Sequence, residues 1–340
     1  MHSLVRMFLP LLTNPEAEVR SQSCVILLST YGERAITYLR RLLDDPDFST
    51  RQQARLALLA VKELTGAPIM LRPFAGAYIE CLGQVRAHIG SHELYEDGVV
   101  QQGSGRAGWQ KVQGVLAYLV HCGARGASRD ALGQAVWGDT WSANSLARTL
   151  TALRQAMEST PGGSAFAERA LLVEPNYCRL DPESYHTDVR AFERIFTLAT
   201  QADQDQGLMH AAPFYAQVLA LYNGPYMADI PRAGRWARER RDYLMSSYVI
   251  AAERQAELLF SHNEFNRCIE VCALALDADP RAEDATIWQL RAYDAAGMRA
   301  EREQAYRAYL RAAELERPGI YAADDPVVLT YQALAGSGSS

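Results

Sequence analysis

The sequence predicts a mainly α fold in which two stretches of helical repeat flank a middle segment with small β-sheets. Three observations carry that expectation. Near the N-terminus, Leu12, Pro15 and Arg20 recur as Leu43, Pro46 and Arg51, each 31 residues on. In the middle, alternating stretches, three helical periodicities and a second alternating stretch follow one another. Toward the C-terminus, Gly297 stands 34 residues after Asn263.

The first element is the 31-residue repeat. "LPLLTNPEAEVRSQS" (Leu9 to Ser23) aligns with "RRLLDDPDFSTRQQA" (Arg40 to Ala54). A fixed period of this size signals helix pairs stacked as a solenoid. The pattern resembles short HEAT-type repeats, in which an Asp/Asn-Pro turn joins two antiparallel helices and the Arg after the turn braces the next unit. It occupies residues 1–66. About two units are visible, fewer than the three or so that stand alone. They are therefore expected to pack on the next domain, or to be cut from a longer chain.

"TGAPIMLRPFAGA" (Thr65 to Ala77) reads as a linker because of its Gly and Pro residues. The second domain spans residues 76–181. "YIECLGQVRAHIG" and "ELYEDGVVQQ" read as short strands, followed by the loop "GSGRAG" (Gly103 to Gly108). Helical periodicity runs through "WQKVQGVLAYLVHCG", "SRDALGQAVWG" and "WSANSLARTLTALRQAME"; "ALLVEPNYCRLD" then alternates around Pro175 and Asn176 as a hairpin would. Strands, three helices and a terminal hairpin describe a winged helix.

Residues 184–318 are almost all helical in pattern. "LLFSHNEFNRCIEVCALALDADP" (Leu258 to Pro280) follows the tetratricopeptide pattern, with Asn263 at the turn, Cys268 and Ala275 in small-residue slots and Pro280 closing the unit. In the next unit Arg302 occupies the slot of Cys268, so a divergent or terminal repeat is expected. Residues 319–340, ending in "AGSGSS", read as a flexible tail.

Composition bounds the function. With 49% hydrophobic and 22% charged residues and no apolar run near the roughly 18 residues of a membrane span, the chain reads as a globular protein with no membrane partner, cytoplasmic by default. Its six cysteines are scattered, as reduced thiols would be. The net charge of −6 is uneven: residues 1–69 and 70–180 each carry +1, and residues 181–340 carry −8. The middle segment is thus free to approach a polyanion.

Motifs for chemistry are missing. "GSGRAG" fits GxGxxG, but neither a βαβ unit nor an acid on a following strand accompanies it. The only lysines, Lys62 and Lys111, do not follow glycine, which excludes a P-loop. The seven histidines stand singly, without HExxH or GxSxG. Neither a catalytic residue, a metal ligand set nor a cofactor is expected, and the chain does not read as an enzyme.

The remaining candidate is the third helix of the middle segment. Leu146, Leu150, Leu153 and Met157 fall on one stripe of a helical wheel, and Asn144, Arg148, Thr151 and Gln155 fall opposite. Any amphipathic helix has a polar outer face, so the pattern alone decides little. Its context favours DNA. Between Ala143 and Met157 there are two arginines and no acid, while Ala143, Ala147 and Ala152 keep the surface slim. Arginine and the Asn/Gln amides can bond bidentately to base edges, and helix, turn, helix, wing is a DNA-reading order.

These stretches, in their order, resemble the OmpR-type winged helix of the SARP (Streptomyces antibiotic regulatory protein) class. "DVRAFERIFTLA", "ALYNGPYMADI", "RWARERRDYL" and the tetratricopeptide-like region resemble the bacterial transcriptional activator domain that accompanies it. The resemblance covers roughly residues 76 to 318. It implies a transcriptional regulator that binds double-stranded promoter DNA, with a helical domain for self-association and RNA polymerase contact. By position, the recognition helix is Asn144 to Met157 and the wing Leu171 to Leu180. Trp137, Gly138, Asp139, Thr140 and Trp141 form the loop that meets polymerase in related winged helices. Lys111 and Arg129 are expected at phosphates. Ser145, Thr149 and Arg154 complete the set on the helix, with Asn176 and Arg179 in the wing. Asn176 replaces the family's usual wing Gly and is expected to take the left-handed conformation. Two alternatives stay open: an interaction scaffold with a degenerate winged helix, and the effector fragment of a larger nucleotide-switched regulator.

Overall fold

A computed structural model describes residues 8–65, 69, 71, 76–89, 92–94, 106–160, 163–314 and 324–337. The chain divides into two compact units, Met1–Ala191 with Gly224–Glu239, and Phe192–Asn223 with Arg240–Ser340.

The first unit opens with helices α1 (Ala17–Tyr31), α2 (Ile36–Arg41) and α3 (Phe48–Thr65). Their 31-residue period is visible atom by atom. Arg20 Nη1 donates to the carbonyls of Asn14 (2.7 Å) and Pro15 (3.0 Å), and Arg51 Nη1 donates to those of Asp45 (2.6 Å) and Pro46 (2.9 Å). Likewise the side chain of Asn14 accepts from Glu16 N, and that of Asp45 from Asp47 N, both at 2.9 Å. The two repeats are joined by a bidentate ion pair from Arg20 Nε and Nη2 to Asp45 Oδ2 and Oδ1 at 2.8 and 2.9 Å. The Arg20 guanidinium holds the Asp45 carboxyl below its usual range. On α3 the buried Ala54, Ala57, Leu58 and Val61 recur at helical spacing, and the core that the first three join reaches Leu27, Leu39 and Tyr78. Tyr78 is a residue of the following domain, so the repeats do pack on it.

Next come β1 (Ala77–Glu80), β2 (Arg86–Ile89), β3 (His92–Glu93), α4 (Arg106–Cys122), β4 (Ala127–Ser128), α5 (Arg129–Trp137), α6 (Ala143–Glu158), α7 (Gly163–Ala170), β5 (Leu171–Val173), β6 (Tyr177–Leu180) and β7 (Tyr185–Thr187). The strands form a four-stranded sheet, β3-β2-β1-β7, and a three-stranded sheet, β4-β6-β5. This is a winged-helix region. It carries a fourth, short helix, α7, between the third helix and the hairpin, where the sequence predicts three helices in all. Most of the linker, the strand beyond Leu94 and the first half of the "GSGRAG" loop lie outside the described residues, while its second half, Arg106 to Gly108, already belongs to α4.

The remaining helices are α8 (Asp188–Gln206), α9 (Leu208–Leu221), α10 (Ala233–Trp236), α11 (Arg238–Ser261), α12 (Phe265–Ala278), α13 (Glu283–Ala295), α14 (Arg299–Glu314) and α15 (Pro326–Ser337). Residues 184–191 and 224–239, which the sequence reading assigns to the C-terminal domain, belong to the first unit. Within the second unit the 34-residue period is structural. Asn263 (φ 60°) and Gly297 (φ 73°) both take the left-handed conformation that ends a helix. The bond from Glu264 N to the Leu259 carbonyl recurs from Met298 N to the Tyr293 carbonyl. Cys268 and Cys272 are buried beside Ala256, Leu259 and Ala292, as small packing residues.

Residues 326–337 correct the expected tail. Asp325 Oδ1 accepts from Val327 N (2.9 Å) and Val328 N (3.2 Å), and Pro326 supplies a first residue that needs no amide bond. The helix that follows buries Val327 against Leu290 and Tyr309 and stacks Tyr331 on Tyr306 with ring centroids 3.9 Å apart. Arg302 lies over Tyr331 and pairs with Asp294, which is how a cation fits the slot that holds Cys268 one repeat earlier.

Candidate nucleic-acid interface

Helix α6 starts at a side-chain cap, Ser142 Oγ accepting from Ser145 N at 3.2 Å, and α5 starts the same way at Ser128. Its stripe Leu146, Leu150, Leu153, Ala156 and Met157 is buried. Burying a leucine or methionine side chain contributes about 2 kcal/mol, so the three leucines and Met157 fix which face of α6 turns outward. That outer face carries Asn144, Ala147, Arg148 and Thr151, all exposed, with Gln155 half-buried.

The candidates on this helix differ in what already holds them. Arg154 Nη2 donates to the Leu171 carbonyl at 2.9 Å and so pins the first wing strand to α6. The hydroxyls of Thr149 and Thr151 donate to the carbonyls of Ser145 (2.9 Å) and Ala147 (3.0 Å), one turn back. Ser145 Oγ lies 2.9 Å from the Ser142 hydroxyl. Arg148 is exposed, and among the described residues it meets no side-chain partner. Five unengaged guanidinium donors, with the one acid of the helix, Glu158, at its far C-terminal end, suit a base edge or a phosphate.

The wing is β5–β6 with the two-residue turn Pro175-Asn176, closed by bonds between Glu174 and Tyr177 in both directions at 2.8 and 3.4 Å. Asn176 is exposed, but the left-handed expectation for it is not met: among the described residues the non-glycine ones of positive φ are Met227, Arg232 and Asn263. Proline at the preceding position fixes its own φ near −65°, which suits a turn with negative φ at both central residues. Arg129 reaches this tip, its backbone N donating to the Asn176 carbonyl at 3.1 Å and its Nη1 to that of Pro175 at 3.3 Å. Arg179 lies half-buried on β6, opposite Leu172.

Lys111, expected at a phosphate, is already engaged within the protein. Its Nζ donates to the Val136 carbonyl at 3.0 Å, at the C-terminal end of α5, and sits 5.4 Å from the Trp137 ring. Burial, and then the nearby Arg232, lower its pKa. A cation there completes the helix dipole instead of facing solvent.

The loop from Trp137 to Trp141 is tightly built. Gly138 N bonds the Gln134 carbonyl, Trp141 N bonds the Gly138 carbonyl at 3.2 Å, and the Thr140 hydroxyl bonds that of Trp137 at 3.1 Å. Trp141 lies against Gly133, where a Cβ would sit 2.5 Å from the indole. Gly138 has φ 67°, and a Cβ on it would lie 2.5 Å from Arg232 Nη2. The loop therefore offers Asp139 and Thr140 outward. Arg232 is the neighbour that sequence reasoning misses; nothing in "ADIPRAGRW" announces a partner almost 100 residues away.

This arrangement defines a class: a winged-helix region with a solvent-facing third helix, joined to tetratricopeptide-like helices. Residues 187–317 match the family model of the bacterial transcriptional activator domain. In fold, the chain is similar to the solved structure of Mycobacterium tuberculosis EmbR in complex with a low affinity phosphopeptide, with a TM-score of 0.56 and 20% sequence identity over 76% of this chain and 64% of that one. This chain thus spans under two thirds of that structure. No curated protein is significantly similar in sequence.

Proposed function

We propose that the protein is a transcriptional regulator of the SARP type, an activator that reads double-stranded promoter DNA through α6 and the wing. One observation carries this reading: α6 buries its whole apolar stripe yet presents Asn144, Arg148 and Thr151 outward with no acid among them. The match of residues 187–317 to the activator domain supports the regulatory role. Phosphate contacts orient the head and base contacts choose the sequence. Arg148 is assigned to the bases, and Arg129 and Arg179 to the backbone beside the wing. The loop with Asp139 and Thr140 is assigned to RNA polymerase, and the helical domain to self-association. No described helix is long and apolar enough to cross a membrane, which suits a protein that works on DNA in the cytoplasm.

Selection of genomic fragments with the purified protein tests this. A recurrent half-site with fixed spacing is the expected outcome; recovery of random fragments at every salt concentration would sink the reading. A second reading has an observation of its own. Lys111 and Arg154 are both held by backbone carbonyls, which leaves few cations for phosphates. If fragments show no enrichment while a protein partner co-purifies in stoichiometric amount, the winged helix is a scaffold.

A further inference from the structure

The segment Gly224–Glu239 lies in sequence between α9 and α11, yet it packs with the winged helix. It touches that region at three places. Its start pairs with the β1–β2 turn: Met227 N donates to the Cys81 carbonyl (2.7 Å), Ala228 N to that of Gly83 (2.8 Å), and Asp229 Oδ1 accepts from Val85 N (2.9 Å). Its end closes over α4, the Trp236 ring lying 5.1 Å from that of Tyr118 and 4.9 Å from that of His121. Between them Arg232 lays its guanidinium on Gly138, in the loop that leads into α6.

Two features show that this placement is built in. Of the three non-glycine residues with positive φ among the described residues, two, Met227 (52°) and Arg232 (67°), fall in this segment. Such strain persists only where the surroundings over-determine it. Arg232 also joins Lys111 at the C-terminal end of α5, so two cations meet the carbonyl end of the helix whose cap is Gly138.

We infer that this segment is a clasp and Arg232 its positioning residue: the guanidinium on Gly138 sets the loop between α5 and α6, and through it the aim of the DNA-reading helix. The inference rests on the DNA-reading function proposed above. Arg232 acts without touching DNA.

Arg232→Gly tests it in the full chain, because glycine accepts the left-handed backbone while removing the guanidinium. Hydrogen exchange of the Gly138 and Trp141 amides is expected to speed up roughly tenfold, with the α1 amides unchanged as the internal control. Affinity for selected DNA should fall several-fold with the salt dependence unaltered, since no phosphate contact is lost. Unchanged exchange at Gly138 and Trp141 would overturn the clasp. A salt slope lowered by about one would instead make Arg232 a phosphate contact. If the wild-type protein binds no DNA, the exchange measurement still decides the clasp, and the two proposals fail separately.

Discussion

The N-terminal repeats and helix α6 both display arginines, and they use them in opposite ways. Arg20 is nearly saturated: two carbonyls and both oxygens of Asp45 take four of its five donors. Arg51 repeats half of that pattern 31 residues on. Arg148 stands in solvent with no side-chain partner among the described residues, three turns of buried apolar stripe behind it. Local sequence looks alike in both regions, an Arg among small and polar residues. What separates a structural arginine from one available to a ligand is whether the fold has already filled its hydrogen-bonding capacity.

That contrast can be broken at each arginine in turn. Arg20→Ala should have the largest effect, because it leaves the Asp45 carboxylate buried without its partner. A loss of about 3 kcal/mol in unfolding free energy by urea titration is expected, with DNA affinity preserved once the protein is folded. Arg148→Ala should do the reverse, costing about 1–3 kcal/mol of binding to selected DNA and leaving the urea midpoint in place. Lys111→Met keeps the stem but drops the ammonium from the end of α5. It should cost about 1 kcal/mol of stability and leave the salt slope of DNA binding unchanged; a smaller slope would return Lys111 to the phosphates.

The smallest effect is on acid stability. Asp45 and Asp203 are both held below the usual carboxylate range by their arginine partners, Arg20 and Arg254. The unfolded chain therefore takes up these protons first as pH falls. The stabilisation is complete above the ordinary carboxylate pKa of about 4 and is lost progressively below it. A melting temperature that declines from about pH 4 downward in the parent, and less steeply in Asp45→Asn, is the expected record.

Much of this fold was legible because its signals are local and periodic. The 31-residue spacing found real equivalence, down to the same carbonyls bonded by Arg20 and Arg51. Asn263 and Gly297 were readable as helix ends because left-handed backbone favours those residue types. The stripe of α6 was equally plain. Three things were not. The terminal helix was hidden by its Gly and Ser ending, although Asp325-Pro326 is a start signal that outweighs it. The roles of Lys111 and Arg154 depend on carbonyls 25 and 17 residues away, and no spacing rule reports such bonds. The return of residues 224–239 to the first unit is a tertiary event with no local pattern at all.

The most direct test is an anisotropy titration of the parent protein and Arg148→Ala on one selected DNA site and on its scrambled counterpart. If α6 reads bases, Arg148→Ala loses roughly tenfold or more on the selected site and much less on the scrambled one, so discrimination collapses. Equal losses on both sequences, or no loss on either, would contradict a base-reading α6.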